Sequence, residues 1–131
     1  MEEFLAGSIP LSLDLDADLR ADALTDGLLL LRGMFGIDGD PLILGAVSTA
    51  AAFDSADEIQ QRIQNLGNLI DADGNGSIDA LTDGLLILRF LFGLGGDELV
   101  TGVLAPDATR DSTEVYDHLI QLTPQISDTA G

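Results

Sequence analysis

The hydrophobic and polar positions of this chain recur at an offset of 57 residues. The segment Asp14–Gly36 aligns without gaps to Asp71–Gly93, and 14 of the 23 aligned pairs are identical. The eight residues DALTDGLL stand at 22–29 and again at 79–86. A match of this length is too specific to arise from shared composition. The pattern therefore indicates an internal duplication, with one repeat at about 11–66 and a second at about 68–123.

Each repeat contains a leucine-rich segment with helical spacing. One helix face is predicted to form an apolar stripe, and we expect these residues to form much of the core. The stripe consists of Leu24, Leu28, Leu31 and Phe35 in the first repeat and Leu81, Leu85, Leu88 and Phe92 in the second. Further apolar residues lie outside the stripe. They are either covered by the helix that ends each repeat or form a docking face for another protein.

A second, amphipathic helix is predicted at the end of each repeat. Ala56–Leu66 has apolar residues at spacings of four and three, with Asp54 or Ser55 as a cap. Thr113–Leu122 has the same spacing, and its cap is Asp111 or Ser112.

These patterns predict an all-α fold in a single domain spanning residues 1–131. Two loop–helix units are expected to pack with pseudo-twofold symmetry, and each is followed by its amphipathic helix. Residues 124–131 contain proline and small polar residues, which predicts a flexible tail.

Oxygen-bearing residues alternate just before each leucine-rich helix. Alternate residues of a tightly wound loop can direct oxygens at one point, and Ca²⁺ takes six to eight oxygen ligands. The spacing therefore predicts two calcium ions, one in each loop. The candidate ligands are Asp14, Asp16, Asp18, Arg20, Asp22 and Asp26 in the first loop and Asp71, Asp73, Asn75, Ser77, Asp79 and Asp83 in the second.

Not every candidate is expected to use its side chain. Ser77 and Arg20 would each offer a backbone carbonyl, so the Arg20 side chain should point to solvent. Asp79 would bind directly or through water, and Asp26 and Asp83 would close their loops. Magnesium is an alternative occupant, although a loop rich in protein oxygens suits calcium better.

The backbone of the two loops is expected to differ in strain. Gly76 stands at the sixth loop position, where the chain needs a positive φ. The first loop has Ala17 and Leu19 where the second has glycines, and a side chain at positive φ costs on the order of 1 kcal/mol. Ile78 is expected to turn inward toward the other loop as an apolar anchor.

The loops resemble those of the dockerin family, in which a calcium loop followed by one helix occurs twice. The residues that carry the resemblance are D-x-D-x-D-x3-D at 14–22 and D-x-D-G-N-G-x2-D at 71–79. The resemblance implies Ca²⁺, a cohesin-like or neighbouring protein domain as partner, and an extracellular or cell-surface location. This chain departs from the family in placing its closing acids at loop position 13 rather than 12. It also has Ala-Leu at 23–24 and 80–81, where dockerins carry a polar pair that selects the cohesin.

Composition narrows the function further. The formal net charge of −18 repels phosphate backbones and anionic lipids, so nucleic acid and membranes are not expected partners. The chain lacks cysteine and has one histidine, His118, which argues against zinc. No nucleophile or paired acid stands apart from the loops, so no enzymatic activity is expected.

The alternatives to a calcium-dependent interaction module are a calcium-stapled spacer domain, a cytosolic calcium sensor, or acids that only solvate a surface. The oligomeric state is left open.

Overall fold

The computed structural model describes residues 12–123, and these residues form helices and turns without a β-strand. The predicted all-α class is confirmed for this part of the chain. The flexible tail predicted at 124–131 lies outside the described residues. Within 12–123, no helix combines the length and the apolar character needed to cross a bilayer.

Helices of similar length follow one another in the same order in both halves of the described chain. They are α1 (Leu28–Met34), α2 (Asp40–Ile43), α3 (Ala56–Leu66), α4 (Leu85–Leu91), α5 (Asp97–Val100) and α6 (Ser112–Ile120). A π-helical turn leads into α1 at Ala23–Gly27 and into α4 at Ala80–Gly84. A 3₁₀ turn at Gly67–Ile70 joins α3 to the second acidic loop.

Helices α3 and α6 begin where their capping residues predict. Ser55 accepts the N–H of Glu58 through its hydroxyl at 3.2 Å, and Glu58 accepts the Ser55 N–H in return. Asp111 and Glu114 form the same reciprocal pair, at 2.9 and 3.0 Å. Each capping box satisfies two N–H groups that a helix start leaves without partners. The predicted amphipathic helix of each repeat is therefore confirmed within one or two residues.

The one-turn helices α2 and α5 are each closed by an arginine from the preceding helix. Arg32 Nη1 donates to the carbonyl oxygens of Leu42 at 3.1 Å and Leu44 at 2.8 Å. Arg89 Nη1 donates in the same way to Thr101, also at 2.8 Å. The last carbonyls of a short helix lack partners within the helix, so they are strong acceptors for a guanidinium.

The buried face of α1 and α4 differs from the predicted stripe. Leu29, Leu30, Leu86 and Ile87 are fully buried, whereas the outer members of the predicted stripe are more than half exposed. Those outer members are Leu24, Phe35, Leu81 and Phe92. The prediction that these four residues build the core is therefore wrong. The buried face starts at the closing aspartate, since Asp26, Leu29 and Leu30 follow helical spacing, and that carboxylate must turn toward its own loop.

Two inner members of the predicted stripe, Leu31 and Leu88, lie where the two halves of the chain meet. A Cβ atom added to Gly27 would lie 2.8 Å from Leu88 Cδ1, and one added to Gly84 would lie 2.7 Å from Leu31 Cδ1. The two contacts are reciprocal at the 57-residue offset. Each glycine therefore lets a leucine of the other half approach the start of its helix.

Candidate metal centres

The first acidic loop gathers four carboxylates. Asp14, Asp16, Asp18 and Asp26 each place one carboxylate oxygen within 4.8 Å of the others. Asp16 and Asp26 are fully buried, and Asp14 is nearly so. Four carboxylates at this spacing repel one another unless they share protons or a cation. This group can therefore hold a metal ion.

The second loop gathers Asp71, Asp73 and Asp83 within the same 4.8 Å. All three are buried. They match three of the first group at the 57-residue offset, and the fourth position is Asn75 in place of Asp18. Asn75 turns its Nδ2 to Asp107, 3.2 Å away, while its Oδ1 accepts the Ser77 N–H at 3.0 Å.

The remaining predicted ligands lie at the edge of these carboxylate groups. Asp22 is partly exposed and Asp79 is exposed, and both stand outside the two groups. The Arg20 side chain is 75% exposed, as predicted, and lies 3.7 Å from Asp22. Coordination by Asp22 and Asp79, and by the carbonyls of Arg20 and Ser77, stays a prediction.

The closing acid at loop position 13 is accommodated by the π-helical turn. The Gly27 N–H donates to the Asp22 carbonyl at 3.0 Å, and the equivalent bond from Gly84 to Asp79 measures 3.2 Å. Both bonds span five residues, so each turn holds one residue more than an α-helical turn. The extra residue brings Asp26 back to its loop, where its Oδ2 accepts the Asp22 N–H at 2.9 Å.

The closing aspartates also hold the first residues of their loops. Asp26 Oδ1 accepts the N–H of Leu15 at 2.7 Å, and Asp83 Oδ1 accepts that of Asp73 at 3.3 Å. Each closing side chain therefore ties the end of a loop to its beginning.

Both loops have positive φ values at the same two positions, which are glycines in the second loop and residues with side chains in the first. Gly74 and Gly76 have φ values of +71° and +88°, and Ala17 and Leu19 have +56° and +77°. The expected strain in the first loop is confirmed, because residues with a side chain avoid this region. The expectation for Ile78 is wrong, since its side chain is 41% exposed and does not anchor the loop in the interior.

In each half, the connection between the short helix and the last helix donates a hydrogen bond to the third loop residue, Asp16 or Asp73. The sequence did not predict this contact. Asp16 Oδ2 accepts the Ser48 N–H at 2.8 Å, and Asp73 Oδ2 accepts the Ala105 N–H at 3.1 Å. The Asp16 carbonyl accepts the Phe53 N–H at 3.0 Å. Backbone donors leave no residue signature, so only the common offset of 57 could have indicated them.

Two buried carboxylate oxygens in these groups lack a hydrogen-bond partner. They are Asp16 Oδ1 in the first loop and Asp71 Oδ1 in the second. An unpartnered buried oxygen of this kind is costly, and it needs an ion, a proton or water. The donor sets consist of oxygens alone, which matches a hard divalent cation rather than a thiolate or imidazole metal. The residues present therefore fit such a cation.

The electrostatics of the loops reflect the same crowding. The pKa of Asp26 is raised to about 7, chiefly by burial and also by the charges of Asp16 and Asp14, against the hydrogen bonds from Asp22 and Leu15. Burial raises the pKa of Asp83 and that of Asp14 to about 6 each. The pKa of Asp16 is also raised, chiefly by burial and against the Ser48 hydrogen bond. A bound cation would favour the charged form of each group.

His118 lies outside both carboxylate groups. Its Nε2 is 2.7 Å from the carbonyl oxygen of Leu69. A carbonyl only accepts, so Nε2 must carry the proton in this bond. The histidine therefore links α6 to the turn before the second loop.

Comparison with protein-family models, with curated proteins and with solved structures gives no match to this chain. What the protein does must therefore be inferred from the geometry of its two acidic loops.

Proposed function

We propose that this protein is a dockerin-like calcium-binding module that holds two Ca²⁺ ions and mediates a calcium-dependent protein–protein contact. The module would be part of a larger extracellular protein and would serve there for interaction or anchoring. The single observation that carries the calcium proposal is the pair of unpartnered buried oxygens, Asp16 Oδ1 and Asp71 Oδ1, each within a group of converging carboxylates. Calcium's flexible shell of oxygens suits both groups.

The residues that would hold each ion follow from the carboxylate groups and the loop pattern. Asp14, Asp16, Asp18 and Asp26 would bind the first ion, and Asp71, Asp73 and Asp83 the second, helped by Asn75. The outer positions, Asp22 and Asp79 together with the carbonyls of Arg20 and Ser77, would complete the shells. Each ion would neutralise buried negative charge, so ion binding would be coupled to folding.

We further propose that the two halves are duplicated units packed about a pseudo-twofold axis. The reciprocal approach of Leu88 to Gly27 and of Leu31 to Gly84 supports this arrangement. A twofold relation makes each contact occur twice with the roles exchanged. The matching helix order at the 57-residue offset also supports it.

A candidate docking face supports the interaction role. Leu24 and Leu81 are 64% and 66% exposed, and each stands two residues before the closing acid of its loop. Calcium would therefore fix the turns that present these leucines. An exposed apolar side chain at the same place in both halves favours contact with a protein partner, and the resemblance to dockerins suggests a cohesin-like domain.

The hydrogen bond between each loop and the connection before the last helix of its half favours a second candidate, a calcium-stapled spacer domain. Asp16 and Asp73 bind backbone N–H groups 32 residues away, so an ion on either would fasten the helix layers together. In a spacer, calcium would raise stability without creating a binding surface.

Calcium titration by calorimetry, with direct metal analysis, tests the proposal. We expect two calcium ions per chain, a loss of helical structure or thermal stability in chelator, and weaker binding of magnesium. Stabilisation by each site should reach about 2.7 kcal/mol at a free calcium concentration 100 times its Kd. A chain that binds no calcium under these conditions would refute the function.

The partner role has its own test. Immobilised cohesin domains should bind the calcium-loaded protein and release it in chelator, and a Leu24→Gln/Leu81→Gln variant should bind more weakly. Leu44→Gln is the matched control, since Leu44 is 75% exposed but lies at the end of α2. Calcium binding without any capture by cohesins would favour the spacer.

A further inference from the structure

Four of the five arginines donate to backbone carbonyl oxygens, although the chain carries 23 acidic side chains. Arg32 and Arg89 close the short helices α2 and α5. The other two, Arg62 and Arg110, donate to the first turn of the two acidic loops. Their contacts with the loops are not explained by the loop pattern itself.

Each of these guanidinium groups bridges the first two carbonyls of one loop. Arg62 donates from Nη2 to the Asp14 carbonyl at 2.8 Å and from Nε to the Leu15 carbonyl at 3.0 Å. Arg110 donates from Nη1 to the Asp71 carbonyl at 2.8 Å and to the next carbonyl, of Ala72, at 3.1 Å. Both arginines are half-buried.

The two arginines reach equivalent carbonyls from positions that are not equivalent in the sequence. Arg62 lies within α3 and aligns at the 57-residue offset with Leu119, a core residue of α6. Arg110 lies just before α6 and aligns with Phe53. The ring of Phe53 packs against the Arg62 guanidinium, 5.0 Å from its centroid. The two halves therefore share the guanidinium contact while differing in the residue that supplies it.

This contact fixes the start of the loop in two ways. Two neighbouring carbonyls held by one rigid planar group set two successive peptide planes, and hence the directions in which the flanking aspartates leave the backbone. Burial lowers the pKa of Arg62, and the charges of Asp14, Asp26 and Asp16 oppose this lowering, so the positive charge of Arg62 interacts with the carboxylates of the first loop. Repulsion within the metal-free loop is thereby reduced.

We propose that Arg62 and Arg110 are positioning residues, one for each loop, that hold the first loop turn in the shape that binds the cation. This inference rests on the proposed calcium function. Neither guanidinium would be a ligand of the ion, because it donates hydrogen bonds and offers no acceptor atom. Each acts through the backbone of Asp14 or Asp71, and its loss weakens its own loop alone. Loss of a residue that orients metal ligands typically costs 10- to 100-fold in affinity.

The experiment measures calcium affinity loop by loop by NMR in the full chain. The Leu19 amide, which donates to Asp14, reports the first loop, and the Gly76 amide, which donates to Asp71, reports the second. Arg62→Leu should lower the calcium affinity of the first loop about tenfold or more and leave the calcium affinity of the second loop unchanged. The variant Phe53→Arg/Arg62→Leu moves the arginine to the position that Arg110 holds in the second half. It should restore the calcium affinity of the first loop to within about threefold of the parent.

Controls separate positioning from a general loss of stability. Arg32→Leu removes a guanidinium that donates to the carbonyls at the end of α2 rather than to a loop, and it should lower the melting temperature without changing either calcium affinity. If Arg62→Leu does not fold, Arg62→Lys, which keeps the charge but loses the planar fork, should show the same selective weakening.

The possible outcomes are distinct. A parent that binds no calcium defeats the proposed function, and the inference with it. If the parent binds two calcium ions, three results for Arg62→Leu would defeat the positioning role alone. They are unchanged calcium affinity, higher calcium affinity, and an equal loss of calcium affinity in both loops. Failure of the Phe53→Arg/Arg62→Leu variant to recover the calcium affinity of the first loop also overturns it.

Discussion

The backbone N–H of Ser48 donates to Oδ2 of Asp16 across 2.8 Å, while Oδ1 of the same carboxylate is buried without a hydrogen-bond partner. One oxygen is thus held by the protein and the other is available to an ion. The fixed oxygen sets the orientation of the free one, which is how a ligand is preorganised for a cation.

Replacing Asp16 with asparagine should separate calcium binding from folding. Asp16→Asn keeps an acceptor for the Ser48 N–H but removes one of four converging charges. We expect calcium affinity of the first loop to fall at least tenfold, because ligand charge sets affinity. The metal-free protein should melt at a higher temperature, since repulsion among the carboxylates falls. Calorimetry and thermal unfolding in chelator measure the two effects.

The matched control for this variant is Asp117→Asn, which removes an exposed carboxylate from α6. It should change neither the calcium affinity nor the melting temperature appreciably. An Asp16→Asn variant that binds calcium like the parent would exclude Asp16 as a ligand.

The stability of the metal-free protein should fall as pH rises from 5 to 8. The folded pKa is about 7 for Asp26 and about 6 for Asp14 and Asp83, above the value of roughly 4 in an unfolded chain. Folding therefore takes up protons, and stability is fully present below about pH 4 and lost as pH passes through the folded pKa values. Thermal unfolding in chelator at several pH values measures this trend.

Calcium affinity should change in the opposite direction. Protonated carboxyls must release their protons to bind the ion, so affinity rises between pH 5 and 8. In Asp26→Asn the metal-free stability should depend less on pH than in the parent. A metal-free melting temperature that increased across this range would contradict the assignment.

Backbone strain in the first loop predicts a stabilising substitution. Leu19 has a φ of +77° and is 65% exposed, so its side chain gains little from burial. Leu19→Gly should raise the free energy of unfolding by up to about 1 kcal/mol, because relief of strain exceeds the entropy cost of glycine. The converse, Gly76→Ala at φ +88°, should lower it by about 1 kcal/mol. Urea unfolding measures both, and equal effects of one sign would refute the strain argument.

The buried face of α1 can be tested with two leucines on neighbouring faces. Leu29 is fully buried and Leu24 is 64% exposed. Leu29→Ala should lower the free energy of unfolding by about 2 to 5 kcal/mol, whereas Leu24→Ala should change it by less than about 0.5 kcal/mol. Denaturant unfolding in saturating calcium measures both. Comparable losses for the two variants would show that the leucine stripe predicted from spacing forms the core after all.

Local patterns along the chain predicted the features that depend on neighbouring residues. The capping boxes of Ser55 and Asp111 form within four residues of chain, so the starts of α3 and α6 follow from the sequence. The positive φ values at Gly74 and Gly76 follow in the same way from the alternation of acids and glycines. The convergence of the carboxylates was also predictable, because the spacing of the acids sets it.

Tertiary structure alone decided which helix face is buried and which distant residues form hydrogen bonds with the loops. Leucine spacing is compatible with more than one face, and the inward turn of Asp26 selects the face that contains Leu29 and Leu30. The contacts from Ser48 and Arg62 cross 32 to 48 residues and end on backbone or carboxylate atoms whose position depends on the whole fold. The sequence determined where oxygens could meet an ion, and long-range packing determined how firmly the protein holds them there.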